Sequence, residues 1–99
     1  MSDSHSYNHA FFASLNCPNP ITWTNNIQQM FTQEDIDHMK QVTNGSLDLS
    51  SYNSVKIWAS KIYQYVASGA MPPPGSGEQP WTPAMINTFG CWIQQGTPQ

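Results

Sequence analysis

Residues 70–82 read AMPPPGSGEQPWT: a methionine set against three prolines, a Gly/Ser turn, then Pro80-Trp81-Thr82. Proline fixes its own φ and pushes the preceding residue towards extended geometry, so Met71 is expected on a stiff arm and not within a helix. The flanks are helical in pattern. Upstream, Val55, Trp58, Ala59, Ile62, Tyr63 and Val66 recur at spacings of three and four, one apolar stripe along a helix of residues 52–67 that Gly69 ends. Downstream, Thr82 is an N-cap with Pro83 at the first helical position. The helix of residues 83–95 then buries Ile86, Phe89, Trp92 and Ile93 and stops at Gly96.

The first half continues the pattern. Trp23, Ile27, Met30 and Phe31 have helical spacing, with Thr22 or Thr24 able to cap the start. A shorter helix follows from Gln33 or Glu34 to about Val42, capped by Thr32. Glu34, Asp35 and Asp37 lie near the positive end of its dipole, and Ile36 and Met39 form its apolar face. Asn44-Gly45 breaks it, and Leu47 to Ser51 reads as a loop. No stretch alternates as a half-buried strand does. The expected fold is all-α: a bundle of about four helices over residues 21–99, preceded by an irregular Ser/Asn-rich arm, 1–20, whose Phe11-Phe12 pair can dock on it.

Composition narrows the function. The 99 residues carry a net charge of −3, and charged residues are 9% of the chain, against roughly 25% in ordinary globular proteins. Lys40, Lys56 and Lys61 are the cations, so there is no basic stripe to neutralise phosphates or anionic lipid; neither nucleic acid nor a membrane is an expected partner. No long apolar run or secretory pattern stands out, so a cytoplasmic location is expected. Cys17 and Cys91 are then expected as free thiols, with a disulfide between the arm and the last helix as the alternative if the protein is exported.

The order of helix, SGAMPPPG, and a capped helix ending TFGCWIQQGTP resembles the C-terminal half of small c-type cytochrome domains, especially a bacterial group with an MPP loop and a W-I-x-x-G ending. In that family the loop methionine is an axial haem ligand, and Met71 stands at its position. The upstream half fits the same template. The helix led by Trp23, Ile27, Met30 and Phe31 leads to Asp35-Ile36-Asp37-His38-Met39, DIDHM, where the family has CxxCH. Asp35 and His38 take the places of the haem-bonding cysteines and Met39 that of the proximal histidine. Leu47 to Tyr52 is similar to the loop before the family's middle helix. The resemblance, over about residues 23–98, implies a cytochrome-c-like fold that has lost its covalent haem, since two thioethers and an adjacent histidine are missing.

Three candidate sites follow. Met71, Met39 and His38 form a soft-ligand set suited to copper(I), or able to clasp a non-covalent haem, although methionine is also the usual filler of irregular cores. His5 and His9 are spaced for a metal only if the arm is helical. Trp81 and Tyr65, with Pro73 and Pro74 of the loop, form an aromatic, weakly charged surface suited to a protein partner. No catalytic constellation assembles, and three acids in one helical turn suit the helix dipole. The expectation is therefore a haem-free, non-enzymatic interaction module without a cofactor, accessory to a partner protein or enzyme; the alternative is a copper(I) or non-covalent haem redox protein.

Overall fold

Side-chain caps set most of the helix starts in the computed structural model, which describes residues 8–99. Asn8 accepts from Phe11 N–H and opens α1, His9–Ala13. Thr22 opens a short π-helical run, Trp23–Ile27, which tightens into a 3-10 turn, Gln28–Met30. Thr32 opens α2, Gln33–Val42, as a full capping box with Asp35. Ser51 caps α3, Tyr52–Ile57, and Thr82 caps α5, Pro83–Gln94. Between them α4, Ala59–Ser68, begins without a side-chain cap. Among the described residues the chain is helical with no strand, as the sequence implies.

The expected helix of residues 52–67 is split at Trp58, whose backbone at φ −93°, ψ 8° leaves helical geometry for one residue. The step keeps Val55, Ala59, Ile62, Tyr63 and Val66 buried, leaves Trp58 partly buried and turns Ile57 out to solvent. With α1 added, the described residues hold five α-helices and the Trp23–Met30 run, more pieces than the four-helix expectation.

The last helix is the organising element. It packs against α1, α4 and the Trp23–Ile27 run, and its Phe89 and Trp92 are fully buried with Ile27, Leu47, Leu49, Val55 and Ile62. Rings continue outward from it: Phe89 to Trp92 at 5.4 Å between centroids, Trp92 to Trp23 at 6.2 Å, and Trp23 to Tyr52 at 6.0 Å. Residues 97–99 are stitched to this cluster. Trp23 N–H and Trp92 Nε1–H both donate to Pro98 O, at 2.9 and 2.8 Å, and Tyr52 Oη–H donates to Thr97 O at 2.6 Å.

Part of the arm is helical. Its helix α1 docks on α5 with Phe12 buried, and Gln94 Nε2 donates to Phe12 O and Leu15 O, each at 2.8 Å. Gly90 makes this approach possible: a Cβ there would lie 2.6 Å from Leu15 Cδ1 and 3.0 Å from Tyr63 Cε2. Phe12 and Leu15 are thus ordered by a distant surface and not by local periodicity. His5 lies outside the described residues. Cys17 and Cys91 are joined in a disulfide across 74 residues, so the expected free thiols are corrected. No helix among the described residues is long and apolar enough to cross a membrane.

Closing a loop of that length restricts the unfolded chain strongly. Replacing both cysteines by serine should lower unfolding free energy by about 4 kcal/mol, read from equilibrium denaturation. A loss under about 1 kcal/mol would show that the bond adds no constraint beyond the packing around it.

Candidate functional site

The Pro loop is held at both ends and in the middle. At its start Gly69, at φ 84°, takes the left-handed turn that ends α4, and the N–H groups of Ala70 and Met71 both donate to Tyr65 O, at 2.9 and 3.2 Å. That turn sends Met71 inward: it is 2% exposed, and Pro72 after it is buried too. Ser76 N–H then donates to Pro73 O at 3.1 Å, and the Ser76 hydroxyl accepts from Glu78 N–H at 3.3 Å. At the far end Trp81 returns to the core between Phe31 and Phe89, with centroids 5.6 and 5.9 Å away.

The middle is fastened to α2 through carboxyl chemistry. Thr32 Oγ1 lies 3.1 and 3.0 Å from the two oxygens of Glu78, to which it donates, and accepts from Asp35 N–H at 3.1 Å; Asp35 Oδ2 accepts from Thr32 N–H at 3.2 Å. One threonine thus caps α2 and ties the loop to it. Asp35 is buried at 3% exposure. Desolvation by burial pushes its carboxyl above the ordinary value, the Glu78 charge pushes the same way, and the bond from Thr32 N–H opposes both. On the solvent side two adjoining grooves separate loop and helix. One is lined by Met30, Asp35, Pro72, Glu78, Trp81 and Met85, the other by Glu34, His38 and Pro73 to Ser76.

The soft-ligand set is brought together only in part. Met39 and Met71 belong to one buried cluster, with Trp58 packed at its edge. His38, about 100° further round α2 from Met39, is half-buried and lines the outer groove beside Pro73 and Pro74. Among the described residues no three His, Cys, Asp or Glu side chains are placed to hold a metal. The haem that a cytochrome resemblance implies does not fit this chain. The DIDHM helix offers no thiol for attachment, and Met71 is packed within a cluster that includes Phe89 and Trp92.

The proposed partner surface is rearranged. Trp81 is 7% exposed, a core ring whose remaining edge lines the groove, and not the open aromatic that its place beside the loop suggests. Tyr65 is half-buried, with Lys61 Nζ 6.0 Å from its ring centroid. Pro73 is half-buried and Pro74 exposed, both on the groove wall. Sequence reasoning missed Glu78; its signal was its place as the one acid within an otherwise uncharged loop.

The site and fold define a small all-helical domain with a disulfide-bound arm and a proline loop latched to α2. No protein-family profile matches the chain, and no solved structure matches it. Among curated proteins it is similar to cyclopenase penL of Penicillium thymicola, 32% identical over 91 residues, covering 83% of this chain and 12% of that protein. The chain therefore spans about an eighth of the length of this relative. The expectation of a non-enzymatic protein is corrected by this match, because the relative is named as an enzyme.

Two outcomes follow from the geometry. Met71→Ala should cost about 2–5 kcal/mol, as for other buried methionines, in equilibrium unfolding; a change under about 0.5 kcal/mol, typical of surface sites, would show that the loop carries no core residue. Asp35→Asn keeps an acceptor for Thr32 N–H and removes a titrating group. Because the Asp35 carboxyl titrates above its unfolded value of 3.8, its ionisation opposes folding as pH rises through its folded value. Stability is lost from the unfolded pKa up to the raised folded one, so the difference should move in the variant's favour as pH rises above 3.8; a pH-independent difference would contradict the burial of a titrating carboxyl.

Proposed function

We propose that the chain is a haem-free, cytochrome-c-like domain that works as a module within a cyclopenase-like enzyme. The supporting observation is the proportion of the match: 83% of this chain aligns with 12% of the relative, the relation expected when a whole domain corresponds to one module of a larger protein. The cytochrome-like reading rests on the order of α4, the Met71 loop and α5 together with the inward seat of Met71. The surface offered to the rest of such an enzyme is the grooved face between α2 and the loop, where Pro73 and Pro74 form a stiff wall that loses little entropy on contact. The Cys17–Cys91 disulfide supports an oxidising compartment over the cytoplasm that the sequence suggests.

A graft tests this directly. Deleting the matching segment from cyclopenase penL should lower its cyclopenase activity by roughly tenfold or more, and putting this chain in its place should restore activity. Pro73→Glu with Pro74→Glu in the grafted chain should cost roughly tenfold, as expected of two contacts at an interface centre, with the melting temperature of the isolated domain unchanged. A deletion that leaves activity and solubility unaltered would overturn the proposal.

A further inference from the structure

We propose that Cys17–Cys91 is an addressable thiol–disulfide exchange site, whose substrate is a dithiol reductant and whose opening releases the arm of residues 8–20 from α5. Both cysteines lie in the wall of an open surface groove, together with Pro18, Asn19, Asn87 and Thr88. The bond is therefore within reach of an attacking thiolate without unfolding of the core. The two sulfurs differ in environment. Cys17 is half-buried on an irregular segment outside any helix, and Cys91 is 3% exposed in the body of α5. Asn87, one turn earlier on α5, places Nδ2 3.7 Å from Cys91 Sγ, and Asn16 O lies 3.6 Å from the same sulfur, so the direction of attack is set by access to Cys17 and not by charge at Cys91.

These positions assign the direction of exchange. A thiolate of the dithiol attacks Cys17 Sγ and forms a mixed disulfide there. The Cys17–Cys91 bond breaks, and Cys91 leaves as a thiolate that takes a proton from water. The second thiol of the reductant, as thiolate, then attacks the reductant's own sulfur in the mixed disulfide and displaces Cys17. The dithiol ends oxidised to a disulfide, and the protein ends with two thiols.

The arm is built to detach as a unit. Of the buried hydrophobic residues outside the disulfide, Phe12 alone comes from it, and the others lie between Trp23 and Trp92. Its other holds include the Gln94 amide on the Phe12, Ala13 and Leu15 carbonyls, Asn87 Nδ2 on Asn16 O at 3.5 Å, Gln95 Nε2 on Asn19 O at 2.9 Å, Leu15 against Gly90, and the edge-to-face group of Phe11, Phe12 and Tyr63 with centroids 5.2 to 5.6 Å apart. Opening the disulfide thus removes Phe12 from the core, leaves the core residues from Trp23 to Trp92 in place and uncovers the Tyr63 and Gly90 side of α4 and α5.

The test uses the full chain in native buffer. After brief exposure to reduced glutathione, acid quench and peptide mass spectrometry, the adduct should sit on Cys17 at least roughly tenfold more than on Cys91, as expected for attack at the accessible sulfur. After reduction by dithiothreitol without denaturant, hydrogen exchange should speed up across residues 8–20 towards that of an unstructured chain, while α4 and α5, though less protected than before because global stability falls, stay far more protected than the arm. Equal labelling of the two cysteines, or an adduct mainly on Cys91, would overturn the assignment. So would reduction after which α4 and α5 exchange as fast as the arm, or that leaves the arm as protected as before.

Discussion

The structure depends on the seating of α5 against the rings around it. Phe89 and Trp92, both fully buried, touch the loop side through Trp81 and the N-terminal side through Trp23. A helix with two large aromatics one turn apart can satisfy them only by gathering several segments at once. The Pro loop, the Trp23 run, the chain's last residues and the arm all converge there. Met71 completes that centre. The left-handed turn at Gly69 and the paired bonds to Tyr65 O leave its side chain an inward path, and the three prolines keep the following segment stiff enough to hold it there.

Much of this was legible because it is periodic or chemical in origin. The stripe from Val55 to Val66, the Thr32 and Thr82 caps and Pro83 at the head of α5 are local signals, and the helices stand where those signals lie. The place of Met71 outside a helix was legible because proline limits the chain path; its inward seat follows from the turn at Gly69. What was not legible depends on partners distant in sequence. Leu47 and Leu49 read as loop residues yet are fully buried, since the loop is folded by Asp48, which accepts from Ser50 N–H at 2.9 Å and lies 3.8 Å from Lys40 Nζ. Phe11-Phe12 reads as a pair able to dock, but where it docks depends on Gly90, which leaves room for Leu15. Trp81 read as a surface ring because the residues before it are polar, and nothing local reveals that Phe31 and Phe89 await it.

The site was half visible. Pro73, Pro74 and His38 lie together on the groove, as their sequence neighbourhoods allow, but His38 is separated from Met39 by the helical step between consecutive residues. The link from Thr32 to Glu78 spans 46 residues and carries no motif. It is nonetheless what turns a proline linker into a fixed wall.

Side chains, and not a porphyrin, fill the middle of this helical frame. A haemin titration of the purified domain followed by visible absorption tests it most directly. The account predicts no saturable Soret change and no rise in melting temperature, because a macrocycle would have to displace Met71 and the rings around α5. A stoichiometric Soret band with the signature of methionine ligation, abolished by Met71→Ala, would contradict it.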